Sequence, residues 1–278
     1  MRSLLVLLLY AAAQAEVPDA DAIVRRSVVM DEENWKRARM YTFVEHIVER
    51  EFDGRGNPKP PESETFDITM LEGSPFRRLI ARNDKPLSAD EERKEQRKLE
   101  KSIAERQKET EAQRQKRLTE WQKNREKRRK VFLEIPDAFE FRLLGEEVRD
   151  NRAVWVLEGT PRPGYQFRDS RAKLFSKFKG KLWIDKAGYY WVRAEAEAID
   201  TISFGWFLAR IGKGARVEVE QQRINDEVWL PRSVHLAASG RLGLVKKMSA
   251  NIEVTYRDFR KFQTGSAIVS ATELPDER

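Results

Sequence analysis

The chain has no cysteine among its 278 residues. This excludes disulfides, thiolate metal sites, a cysteine nucleophile and the acylated cysteine of a bacterial lipoprotein. Histidine is nearly as scarce. His46 and His235 have no His or Cys neighbour at ligand spacing, so both read as structural and no metal is expected. No G-x-S-x-G elbow presents a serine, and no glycine-rich loop precedes a helix to cradle phosphate. Glu146 and Glu147 are adjacent in a strand-like segment and would point to opposite faces, which disqualifies them as an acid/base couple. The composition therefore reads as non-catalytic, with no cofactor.

Long apolar runs are also missing, with one exception. Leu4 to Ala13 is unbroken, follows Arg2, and is followed by Ala13-Gln14-Ala15. A positive start, a short apolar run and small residues at the cleavage positions describe a secretory signal peptide cut after Ala15; a membrane span needs roughly 20 apolar residues. The expectation is a periplasmic protein whose mature part, residues 16–278, is one domain large enough to bury a core without disulfides. Export also removes nucleic acid as the partner of the +7 formal charge.

Glycine and proline are absent between Pro86 and Pro136. Within this gap, residues 88–130 carry 16 Lys or Arg against 10 Asp or Glu, and the acids crowd the start while the bases crowd the end. Such polarity matches a helix dipole, and Ser88-Ala89-Asp90-Glu91 is a capping box. A single helix of this length would reach roughly 65 Å, so the arm must project or fold back. A break near Lys108 to Gln113 would set Leu99 and Ile103 against Leu118 and Trp121 and the acidic start beside the basic end. Arg125, Lys127, Arg128, Arg129 and Lys130 are the candidates for meeting an acidic protein or an anionic membrane surface.

Outside the arm the pattern is β. Val44 and Val48 alternate with Glu45 and Glu49, and Phe66, Ile68 and Met70 alternate with Asp67 and Thr69. Segments 139–143 and 153–157 flank Asp150-Asn151, a hairpin turn. Further strands are expected at 182–184, 190–198, 216–222, 228–236 and 246–256, with short helices in 19–37 and 170–178. One-sided alternation in about ten strands describes an antiparallel sheet with one wet face, which closes, or curls around a concave apolar surface. Tyr189-Tyr190-Trp191, Phe204-Gly205-Trp206-Phe207 and Trp229 are either sheet core or the lining of an apolar pocket. Arg168, Arg171, Lys173, Lys177, Lys179 and Lys181 flank them, as ordinary surface charge or as attractants for anionic head groups.

Gly180-Lys181-Leu182-Trp183-Ile184-Asp185-Lys186, followed by Tyr190-Trp191-Val192-Arg193-Ala194-Glu195, resembles the strand pair of the LolA and LolB outer-membrane lipoprotein-sorting and carrier families. Trp229-Leu230-Pro231 and Tyr256-Arg257-Asp258-Phe259 add to the resemblance, which spans about Arg37 to Phe262 without the arm. It implies an α+β fold, an antiparallel curved half-barrel of about eleven strands with covering helices, here with a long charged helical insertion. It also implies a non-catalytic carrier whose cavity receives the acyl chains of lipid or lipoprotein. The missing cysteine excludes a lipid-anchored acceptor of the LolB kind. Strand alternation nominates Val44, Val48, Phe66, Ile68, Met70, Phe141, Trp155, Val192, Phe204, Trp206 and Phe207 as the apolar lining. A scaffold protein acting through its charged arm is the other reading.

Overall fold

The structure, a computed structural model, describes residues 18–204, 209–242 and 246–261. The proposed signal peptide and Trp206 and Phe207 lie outside the described residues. Helix α1 (Ala20–Ala38) is followed by strands β1 (Tyr41–Phe52), β2 (Glu62–Leu71), β3 (Ser74–Arg82) and β4 (Lys85–Pro86). Helices α2 (Ala89–Gln107), α3 (Glu111–Phe132) and α4 (Ile135–Ala138) come next, then β5 (Phe139–Arg149) and β6 (Arg152–Pro161). A short 3-10 helix (Ala172–Lys177) precedes β7 (Phe178–Asp185), β8 (Trp191–Ala198), β9 (Ile202–Phe204), β10 (Ala209–Ile211), β11 (Arg216–Ile224), β12 (Val228–Leu242) and β13 (Lys246–Lys261).

These strands form one open antiparallel sheet in the order β4-β3-β2-β1-β13-β12-β11-β8-β7-β6-β5, with β9 and β10 added beside β12. The fold is α+β, as expected, with thirteen strands where about eleven were anticipated. Tight hairpins come from Glu72-Gly73, Asn83-Asp84, Asp150-Asn151 and Asn225-Asp226, all with positive φ at both central residues. That geometry matches the right-handed twist of the flanking strands.

α1 crosses the concave face. Asp19 caps it by accepting from the Asp21 amide at 3.0 Å. Its Ile23 and Val24 pack with Trp155, Leu157 and Ile184 in the largest core cluster, and Ser27 Oγ accepts from Trp191 Nε1 at 2.7 Å. Near its end Asn34, 5 % exposed, donates from Nδ2 to the Trp229 carbonyl and accepts the Trp229 amide, both at 2.7 Å. A side chain thus takes the place of a neighbouring strand at the start of β12.

The insertion is two helices, broken at Lys108 to Thr110 within the expected interval, but they do not fold back as a hairpin: α2 packs on β3 while α3 leaves toward α1, so the Leu99 and Ile103 pair is not set against Leu118 and Trp121 and the acidic start does not lie beside the basic end. The Ser88–Glu91 capping box forms as the sequence indicates. A second box, Thr110 with Gln113, starts α3; the T-x-x-Q pattern was its signal in the sequence. The break is pinned to the β2–β3 turn: Arg117 donates to the Glu72 carbonyl at 3.1 Å and to Ser74 Oγ at 2.7 Å. The ends of the insertion are held by the body. Glu91 pairs with Arg82 of β3 at 2.7 Å, and Arg129 pairs with Glu32 of α1. α2 lies along β3, and α3 spans from the β2–β3 turn over α1 to α4 at the other sheet edge. Among the described residues no helix is long and apolar enough to cross a membrane.

Candidate functional site

Residues paired across antiparallel strands project to the same face. Following the register from the face under α1, Leu182 pairs with Ala194, then Val219, Val234, Val254 and Ile47 in turn. The next rung of that face runs Ala196, Val217, Leu236 and Ile252. All are small or aliphatic, and all are half-buried. Side chains of this size offer no hydrogen-bonding group, so these rungs present apolar surface alone.

Two features bound this face. At the β1–β3 end, Arg77 pairs with Glu45 at 2.6 Å and its guanidinium stacks 3.4 Å over the Phe66 ring. Phe43 meets Tyr256 edge-on at 5.3 Å, and burial, with the Glu45 charge adding to it, pushes the Tyr256 hydroxyl up to about 12. At the α1 end, a crevice of about 280 Å³ opens between Val28 and Asp31 of α1, Phe132 of α3, and Trp191, Ala194 and Val219 of the sheet. Asp31 retains open surface, but protein surrounds it inside the concavity and this desolvation raises its pKa.

α3 roofs the crevice. Arg125 lies over the Trp35 ring of α1 and 4.6 Å from that of Trp121, and Phe132 meets Phe175 at 6.0 Å. Arg125 and Arg129 therefore face inward, where packing on Trp35 and pairing with Glu32 engage them. Lys127 and Lys130 remain exposed; the Lys127 carbonyl accepts from Arg171 at 2.9 Å. Arg128 lies on the same helix.

The apolar candidates divide. Phe141 and Trp155 join the cluster under α1. Phe66, Ile68 and Met70 share the concave face at the β2 end, where Phe66 pairs with Glu45 and Ile68 with Phe43. Val44 and Val48 do not join them: they pair with Asp67 and Ser63 on the opposite face. The alternation along β1 was legible but its sense was inverted, because Arg77 neutralises the inward Glu45. Val192 is likewise on the opposite face, packed with Val154, Val156 and Trp183. A bulge pairs Trp183 with Arg193 and Ile184 with Trp191, leaving Val192 as the extra residue and breaking its phase with Ala194. Phe204 ends β9. The ladder of Ala194, Val219, Val234 and Val254 was missed as a lining, although period-two alternation was its signal.

The W-I-D string has a structural explanation. Ile184 is core, and Trp183 on the other face donates to Glu147 at 3.0 Å. Asp185, fully buried, accepts two bonds from Arg152, at 2.7 and 3.0 Å, and the Gly188 amide at 2.6 Å. The motif fixes a turn and builds no site. His46 meets Thr65 at 2.9 Å and His235 is exposed. Among the described residues there is no group of three or more His, Cys, Asp or Glu side chains that could hold a metal.

No family model and no curated protein matches the chain. Among solved structures it is similar to a domain from Vibrio parahaemolyticus described as an outer membrane lipoprotein-sorting protein, with a TM-score of 0.37 and 12% identity, covering 88% of this chain and 95% of that one. It is similar to a DUF1329 family protein from Desulfovibrio piger, with a TM-score of 0.34 and 10% identity over 90% and 96% of the two chains. It is also similar to a LolA superfamily protein from Nitrosomonas europaea, with a TM-score of 0.29 and 11% identity over 89% and 96%.

Proposed function

We propose that this is an exported, periplasmic carrier-type protein that holds the acyl part of a lipid or lipoprotein on its concave face and catalyses no reaction. The observation that carries this reading is the half-buried apolar ladder from Ala194 through Val219, Val234 and Val254 to Ile47. A sheet face of this kind in a protein of ordinary size is normally filled by its own core. Here α1 covers the β5–β8 half, and the remainder keeps accessible apolar surface beside the crevice at Phe132. Burial of such surface by an acyl chain is favourable by about 0.8 kcal/mol per methylene. The signal-like N-terminus supports export, and the W-I-D resemblance agrees with a carrier.

The test is lipid extraction and mass spectrometry on mature protein purified from the periplasm without detergent. A stoichiometric lipid supports the carrier. Repeatedly empty protein with weak uptake of a fluorescent fatty acid overturns it. The scaffold reading is weakened by the inward engagement of Arg125 and Arg129, and it keeps only the outer crest of α3.

A further inference from the structure

That outer crest has its own chemistry. At about 100° per residue, Arg117, Leu118, Trp121, Arg125, Arg129 and Phe132 form the side of α3 that meets the body, through Glu109, Gly73, Trp35, Glu32 and Phe175. Lys116, Lys123, Lys127 and Lys130 fall within about 40° of a single line on the opposite side. All four are exposed; among the described residues no carboxylate bonds directly to any of them, and only Lys130 lies close enough to a carboxylate, that of Asp169, to lower its pKa. Glu120 is the one acid on the line, and the row is about 21 Å long. This is a cationic ridge on a rigid helix capped at its start and anchored along its length.

A second feature adjoins the basic end. Phe132, Leu133 and Leu174 expose 49, 38 and 38 % of their surface; Arg171 of the 3-10 segment bonds to the Lys127 carbonyl, which brings Leu174 and the exposed Lys173 to the end of α3. Phe132 is also part of the crevice wall. Clustered apolar side chains beside unpaired lysines are the signature of a surface that rests on lipid head groups with its apolar part in the acyl boundary. An acidic protein would match the ridge but gives no reason for the apolar end.

We infer that the outer crest of α3, with Leu133 and Leu174 at its basic end, is a docking surface for anionic phospholipid membranes. The inference deepens the arm's partner and does not require the concave face to carry lipid.

The test is co-sedimentation of the mature chain with vesicles of equal parts phosphatidylcholine and phosphatidylglycerol, compared with pure phosphatidylcholine vesicles. The inference expects binding to the anionic vesicles alone, weakened by salt. Replacing all four lysines by serine weakens it by about several hundredfold, from roughly one factor of five per lysine near such a surface. Leu174→Ser weakens vesicle binding and leaves binding to soluble polyglutamate unchanged. Equal binding to both vesicle types, a quadruple variant that binds as the parent does, or binding to polyglutamate without binding to vesicles overturns the inference; the last outcome assigns the ridge to acidic proteins. Mass spectrometry of the quadruple variant separates the two claims, since a carrier still retains its lipid when the ridge is gone.

Discussion

Replacing Asn34 tests how α1 is held over the sheet. Its carboxamide satisfies both backbone groups of Trp229 at 2.7 Å, and both residues are 5 % exposed. In Asn34→Leu, which keeps the number and branching of the side-chain heavy atoms, the Trp229 amide and carbonyl are left without partners in a site closed to water. Each orphaned backbone group costs about 1–3 kcal/mol, so the expected loss for the two is about 2–6 kcal/mol. For a chain of this size about 2–4 °C accompanies each kcal/mol, which predicts a melting temperature lower by about 4–24 °C. Urea unfolding followed by circular dichroism should show a lower midpoint with an unchanged slope, because the surface exposed on unfolding is the same. A variant within about 1 kcal/mol of the parent would refute the strand-mimic account, since it would mean that water or a shift of α1 meets both groups at little cost. Asn34→Asp provides a control. It keeps the acceptor for the Trp229 amide, but sets an oxygen against the carbonyl, and should be restored in part by acid.

Three further outcomes follow from other parts of the structure. Arg125→Ala removes the stacking on Trp35 and Trp121, about 1–2 kcal/mol, and should speed amide exchange in α3 while β6 and β7 exchange as before. Because desolvation raises the pKa of Asp31 in the folded state, the folded protein binds more protons than the unfolded chain between the ordinary value of 3.8 and the raised one. Stability therefore falls as pH rises through that window; Asp31→Asn should stabilise the protein at neutral pH, and a pH series of melting curves should show the gain vanish at acid pH. Gly240→Ala would set a Cβ 2.0 Å from the Arg210 carbonyl oxygen, so exchange protection should be lost in β9 and β10 and retained in β5 to β8.

Elements with strong local signals were legible in the sequence. Ser88 and Glu91 announced α2, Asp150-Asn151 announced the β5–β6 hairpin, and the alternation around Phe66 announced β2. β3 was not legible because both its faces carry charge: Arg77 reaches Glu45 on one side, and Arg78 lies 4.0 Å from Asp67 on the other. Its place next to the two-residue edge strand β4 allows this, and no period-two pattern survives. The concave lining was half legible. Alternation showed which residues share a face, but not which face is inward, since that depends on partners distant in sequence. Glu45 lies inward because Arg77 arrives from the next hairpin but one, and Val192 lies outward because of a bulge that no local pattern marks.

The strand order also governs when the fold can be completed. Residues 41–86 form one run of neighbouring strands and residues 139–261 another, and the β1–β13 ladder is the strand pairing that makes them continuous. Each run can zip locally, whereas this seam joins segments about two hundred positions apart, a closure that pays its chain entropy before any contact repays it. Among the described strands β13 is synthesised last. A nascent chain therefore lacks the complement of β1 until residues 246–261 have been made, and the continuous concave face cannot exist before then. That delay postpones the continuous sheet, and with it the apolar ladder that runs from Val234 through Val254 to Ile47, until β13 has been made.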